Sequence, residues 1–173
     1  KDRIDVIELI EIQTHESAIR IIDKTGPLHN PADRDHCLQY MVAVPLLSGT
    51  LRAQDYEDAA AADPRIDRLR ERMVVVEEPR YSADYLDPDK RSIANAIQIE
   101  FADGSRTERV EIEYPIGHRR RRAEAVPLLR QKFQANTEAS LSQDRVDRLI
   151  AAFDDPASLS ALPVDRLLDL TIP

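Results

Sequence analysis

The chain opens on an apolar run, Ile4-Asp-Val-Ile-Glu-Leu-Ile-Glu-Ile12, whose parity changes partway. Ile10 and Ile12 alternate with Glu11 and Gln13, whereas Ile7 and Leu9 fall on the opposite parity, so a strand here either carries a bulge near Leu9 and Ile10 or is covered on both faces. Asn30 has the character of an N-cap, with Pro31 at the first helical position and Asp33 in the first turn. A helix is predicted from there to Ser48, apolar on most sides and therefore central, kinked by Pro45 and ended by Gly49. Gln54 to Arg72 reads as two short helices divided at Asp63-Pro64, and Met73-Val-Val-Val76 as a β-branched strand. Between residues 93 and 114, Ile93, Ile97, Ile99 and Phe101 alternate with smaller or polar residues, and Val110, Ile112 and Tyr114 resume the pattern beyond Asp103-Gly104. A hairpin with a two-residue type I′ turn follows, pairing Ile97 with Val110 and Gln98 with Arg109. Beyond it the chain reads as helical. Leu129 and Phe133 form a weak stripe, and after a Ser142 cap, Val146, Leu149, Ile150 and Phe153 form a strong one, predicted to face the sheet. The fold class is α+β: a small antiparallel or mixed sheet with the hairpin, covered by helices in two layers.

At 173 residues, 42% hydrophobic and 32% charged, one domain is expected over residues 1–173. No apolar run approaches the ~20 residues of a membrane span, and the first residues lack a signal-peptide core, so a soluble, cytoplasmic protein without membrane partners is expected. The net charge of −8 argues against a nucleic-acid partner, Arg119 to Arg122 being the single basic cluster. Cys37 is the sole cysteine, so an internal disulfide is ruled out and an iron–sulfur cluster is not expected. The chain begins without methionine and runs straight into strand-like sequence, and so reads as a piece of a longer protein.

Candidate chemistry concentrates between Gly26 and Tyr40, where His29, Asn30, Asp33, Arg34 and His36 crowd the start of a helix otherwise suited to a core. Cations and a cap at a helix start suit an anionic ligand. On one continuous helix, Asp33, His36 and Tyr40 at i, i+3 and i+7 share a face, making His36 and Tyr40 the candidate catalytic pair for proton transfer. Arg34, His29 and Asn30 are candidate substrate-binding groups. The competing reading is an ordinary polar first turn with Tyr40 packed and its hydroxyl satisfied. Arg119, in the run Gly117-His-Arg-Arg-Arg-Arg122, is a further candidate for gripping carboxylates, against the alternative of a solvated loop. The four histidines and Cys37 show no metal-ligand spacing, so no metal is expected, and with four glycines no glycine-rich phosphate loop is present.

Three stretches are familiar: Gly26 through Asn30-Pro-Ala-Asp-Arg-Asp-His36 to Met41, Asp87-Pro-Asp-Lys-Arg-Ser-Ile-Ala-Asn-Ala96, and Glu113 through Gly117-His118 to Arg122. Together with Ile19-Arg-Ile-Ile-Asp-Lys24 and Lys132-Phe133 they resemble the MmgE/PrpD family along essentially the whole chain. That resemblance implies the smaller, C-terminal α+β domain of a two-domain enzyme. It would cover the active-site cleft of a helical domain absent from this chain. It further implies dehydration of a tricarboxylate, 2-methylcitrate, to 2-methyl-cis-aconitate in propionate breakdown, with no cofactor, in a homodimer. Much of the acid and base machinery would lie outside this chain, which alone is expected to be inactive. The competing readings are a related family enzyme, such as a cis-aconitate decarboxylase or a dicarboxylate epimerase, and a non-catalytic interaction module.

Overall fold

The computed structural model describes residues 3–138 and 140–172. Its chain divides into two compact units, Lys1–Pro115 and Ile116–Pro173. The first holds a four-stranded mixed sheet in the order β2-β1-β3-β4. Here β1 is Ile7–Thr14, β2 Met73–Glu77, β3 Asn95–Phe101 and β4 Val110–Ile112. β1 runs parallel to β2 and antiparallel to β3, which pairs antiparallel with β4.

The opening run is shorter as a strand than its sequence suggests, because Ile4–Val6 forms a 3-10 turn before β1 begins. The parity change is a bulge. Ile7 pairs with Phe101 and Leu9 with Glu100, leaving Glu8 as the extra residue, so Ile7 and Ile10 both reach the core although three positions apart.

The connection from β1 to β2 carries the helices: α1 (Glu16–Ile22), α2 (Pro31–Asp35), α3 (Leu38–Ser48), α4 (Asp58–Ala61) and α5 (Pro64–Arg70). A parallel pair requires such a crossover. Ile7, Ile10 and Ile12 of β1 pack with Cys37, Tyr40, Ala43 and Val44 and with Ile66 and Leu69 of α5 in one apolar cluster. α3 is buried or half-buried from Leu38 to Leu47, the central helix its apolar circumference predicts, and it ends at Gly49 in a left-handed conformation, φ 91°.

The single helix predicted from Pro31 to Ser48 is two. The backbone leaves the helical region at His36 (φ −109°, ψ 27°) and is extended at Cys37 (φ −124°, ψ 109°) before α3 starts. The break satisfies two burial demands that one straight helix cannot meet together. It lets Arg34 turn towards the 53–56 turn while Cys37 swings into the core at 0% exposure. Tertiary packing overrides local propensity here.

The hairpin is present with a different turn. Gly104 has φ 77°, but Asp103 does not have the positive φ that a type I′ turn requires. Gly104 N–H donates to the Phe101 carbonyl at 2.8 Å and Phe101 N–H to the Ser105 carbonyl at 2.9 Å, so the loop is three residues, Ala102 to Gly104. This is a turn followed by a glycine bulge. Asp103 Oδ1 accepts from Ser105 N–H at 2.9 Å and favours it. The returning strand spends an extra residue around Thr107 and regains the expected Ile97–Val110 pairing, while Gln98 and Arg109 do not pair. Instead Arg109 crosses to Gln13 Oε1 (2.6 Å) and the Tyr81 hydroxyl (2.6 Å). Tyr81 belongs to α6 (Pro79–Leu86), where it is fully buried with Ala94 and Ala96.

The second unit contains α7 (Arg122–Thr137), α8 (Gln143–Asp154), α9 (Pro156–Ala161) and α10 (Val164–Thr171). Ser142 stands at the N-cap of α8 with no side-chain capping bond. The stripe on α8 finds partners within this unit: Val146 and Leu149 are buried, and Leu149, Ile150 and Phe153 line a cleft with Val126 and Phe133 of α7. No helix among the described residues is long and apolar enough to cross a membrane.

Candidate functional site

The loop after α1 and the start of α2 carry most of the candidates. Asn30 caps α2 through Oδ1, accepting from Asp33 N–H at 2.9 Å, and Pro31 occupies the first helical position. Asp33 returns the contact: its Oδ2 accepts from His29 N–H at 3.0 Å and from Asn30 Nδ2 at 3.2 Å. The anion served by this helix start is therefore Asp33 itself. With only five residues, α2 also has a weak dipole, since the field scales with aligned peptide units.

Arg34 is buried, its side chain 7% exposed. Nη1 donates to the Tyr56 carbonyl and Nη2 to Asp58 Oδ1, each at 2.7 Å. Tyr40, 2% exposed, donates its hydroxyl to the Asp55 carbonyl at 2.6 Å and stacks on Tyr56 with ring centroids 6.0 Å apart. Burial raises the Tyr40 phenol above its ordinary pKa, so it keeps its proton and is a poor base. Both side chains hang the same 3-10 turn, Ala53–Tyr56, which a capping contact from Arg52 N–H to Asp55 Oδ2 (2.6 Å) also secures.

His29, Arg34 and Tyr40 line one open cleft of about 330 Å³ together with Leu28, Asp58 and Asp67. His36 does not join them. The break after α2 leaves it exposed, with Nδ1 2.5 Å from the adjacent Asp35 Oδ1, so the predicted alignment of Asp33, His36 and Tyr40 along one helix is absent. Asn30 is exposed and committed to capping. Arg119 lies in the second unit, exposed, in a 3-10 turn begun by His118, whose Nδ1 accepts from Arg120 N–H. Arg121 of the same basic run is ion-paired with Glu124 at 2.6 Å.

A second cleft, about 470 Å³, lies against α5 and was not anticipated from the sequence. Lys24, Thr25, Gly26 and Pro27 form one side, with Gln39, Asp67, Arg70, Glu71 and Met73 around them. Arg70 is its buried cation, with Nη1 on Asp67 Oδ1 at 2.6 Å and Nη2 on the Gly26 carbonyl at 2.8 Å. Asp67 lines both clefts. Little in the sequence marks Arg70, since α5 has seven residues and its other two arginines, Arg65 and Arg68, are exposed.

Fold and clefts define an α+β domain with a mixed sheet whose crossover places two buried arginines beside open recesses. The MmgE/PrpD C-terminal domain matches residues 1–155, and the chain belongs to that family. It is 55% identical over 166 residues to the 2-methylcitrate dehydratase of Salmonella typhimurium, covering 96% of this chain and 34% of the relative. To the enzyme of that name from Cupriavidus necator it is 56% identical over 164 residues, 95% of this chain and 34% of the relative. To the mitochondrial 2-methylcitrate dehydratase of Yarrowia lipolytica it is 49% identical over 168 residues, 97% and 32%. The chain thus spans about a third of the length of these relatives.

Proposed function

We propose that this chain is the smaller domain of a 2-methylcitrate dehydratase, a carbon–oxygen lyase that removes water from 2-methylcitrate to give 2-methyl-cis-aconitate. The observation that carries the reading is identity of 55% over 96% of the chain to a protein of that name. The chemistry asks for several cations to hold three carboxylates, a base to take a proton next to one of them and an acid to protonate the departing hydroxyl. The first cleft suits the binding part of that task, because His29 and Arg34 both line it and, among the described residues, the hydrogen bonds of the Arg34 guanidinium run from Nη1 and Nη2 alone. Tyr40 donates its hydroxyl hydrogen bond to the Asp55 carbonyl, which suits an anchor better than an acid.

In this reading the acid and base come from the helical domain that makes up the rest of the enzyme, and this domain forms the opposite wall. The working enzyme is a cytoplasmic homodimer whose ligand is the tricarboxylate. The test compares the 173-residue chain with the same chain joined to its upstream domain, following the conjugated double bond of the product by ultraviolet absorbance. Turnover is expected only in the joined protein. Dehydration by the 173-residue chain alone would overturn the division of labour, and a joined protein active on another tricarboxylate but not on 2-methylcitrate would overturn the substrate.

A further inference from the structure

The two edges of the sheet are finished differently. β4 is three residues long and stands among charged groups, with Arg80 and Arg109 both paired to Glu111. β2 is longer, Met73–Glu77, pairs with β1 without a register shift and carries three valines in a row, of which Val74 is 47% exposed. Lysine, proline or a bulge commonly guards an exposed edge against another chain, and β2 has none of them.

The ladder fixes which backbone groups of β2 are spare. Ile10 N–H donates to the Arg72 carbonyl at 2.8 Å and Glu78 N–H to the Thr14 carbonyl at 2.9 Å. With Ile10 opposite Met73 and Thr14 opposite Glu77, the parallel pattern spends the backbone of Arg72, Val74, Val76 and Glu78 on β1. Met73, Val75 and Glu77 therefore turn their N–H and C=O groups away from β1, and among the described residues no other backbone group pairs with them.

We propose that β2 is the edge by which two copies of this chain join, Met73, Val75 and Glu77 pairing antiparallel with the same residues of a second copy about a two-fold axis at Val75. The charges select this register. It sets Val74 against Val76 and Arg72 against Glu78, opposite in sign, on both sides of the axis. Arg72 and Glu78 are each steadied by a bond within their own copy, Arg72 Nη1 donating to the Ile7 carbonyl and Glu78 Oε1 accepting from Arg80 N–H. Moving the axis to Val74 brings Glu71 and Glu77 together, and moving it to Val76 brings Arg72 against Arg80, so either slip opposes like charges. The pairing names a surface for the homodimer proposed above and rests on that reading only for its place in the working enzyme; pairing of the chain with itself does not.

Sedimentation equilibrium of the 173-residue chain is the first measurement. Its average mass should rise from 19.7 kDa towards twice that value as concentration climbs from about 10 μM to about 1 mM, the weak range expected of a small contact. Val75→Pro removes an outward N–H while the ladder to β1, which uses Val74 and Val76, is kept, and it should weaken association about tenfold or more with the chain still folded by circular dichroism. A second pair of variants reports even where that proline prevents folding. Opposed residues that are not hydrogen-bonded to each other in an antiparallel ladder bring their Cα atoms to about 4.5 Å, within disulfide reach, so a mixture of Val74→Cys and Val76→Cys chains should cross-link under a mild oxidant. Either variant alone should do so about tenfold more slowly, and the native Cys37, at 0% exposure, does not compete. A chain that stays monomeric to about 1 mM, association indifferent to Val75→Pro in a folded chain, or faster cross-linking by Val74→Cys alone than by the mixture would overturn the proposal. In the joined enzyme the same mixture should cross-link; failure there beside success in the chain would mean that the upstream domain covers β2, and would overturn this edge as the enzyme's dimer surface. None of these readouts uses turnover, so a joined enzyme inactive on 2-methylcitrate that still cross-links would sink the dehydratase reading alone.

Discussion

Replacing Tyr40 with Phe separates the two roles its position permits. The hydroxyl donates to the Asp55 carbonyl at 2.6 Å from a side chain 2% exposed, and the ring packs in the main core against α5. Phe keeps the ring and its stacking on Tyr56, so the change removes one hydrogen bond and leaves a half-buried carbonyl to be reached by water. That costs about 1–2 kcal/mol, the low part of the range for an acceptor deprived of its partner. Because Arg34 holds the Tyr56 carbonyl of the same turn, the two losses should not add: Arg34→Met combined with Tyr40→Phe should destabilise by less than the sum, since a turn already released has less to lose. Urea denaturation of the chain measures this as a lower midpoint at unchanged m. In the joined enzyme an anchor predicts a modest fall in kcat with the pH profile retained, whereas a general acid predicts a loss of about 100-fold or more. Unchanged stability together with a collapse of kcat would refute the anchor and return Tyr40 to the chemistry.

Two further outcomes can be read from stability alone. His15 is buried, stacked on Tyr85 at 4.2 Å, and accepts from Ala18 N–H through Nδ1, so the fold needs it neutral and burial lowers its pKa below 6.5. Its contribution is complete above the unfolded value of about 6.5 and is lost as pH falls through the folded value; a denaturation midpoint that drops between about pH 7 and 5, and drops less in His15→Asn, which keeps a capping oxygen, is the expected result. Gly104→Ala meets no atom within 4 Å but must hold φ 77°, and should cost about 1 kcal/mol by thermal denaturation without altering the spectrum of the folded chain.

Alternation of apolar residues was a reliable guide wherever one face of the sheet met the core. It located β3 and β4 and the Ile97–Val110 pairing, and left the parity change in β1 to be either a bulge or two covered faces, of which the structure has the bulge, at Glu8. The same apolar pattern said nothing of how completely β4 is covered: Val110 is 55% and Ile112 48% exposed. The turn type was misread because Asp103-Gly104 fits both a two-residue and a three-residue loop, and the choice lies in the φ of Asp103, which no residue identity dictates.

The functional residues were harder for a related reason. His36 and Tyr40 share a helical face only if the helix is continuous, and continuity is decided by where Arg34 and Cys37 must go, through contacts with Tyr56, Asp58 and Lys24 that lie 13 to 24 positions away. Arg34 was visible in sequence as a cation beside a cap, whereas Arg70 was not, because a helix of seven residues gives too little periodicity to show which of its arginines turns inward. Yet the two arginines do similar structural work. Arg34 ties the 53–56 turn to α2, and Arg70 ties the Gly26 loop to α5, so each closes one wall of a cleft by spending two of its nitrogens on the protein. The Nε of Arg70 is left buried and without a hydrogen-bond partner among the described residues, the penalty of turning that arginine inward to hold the Gly26 loop.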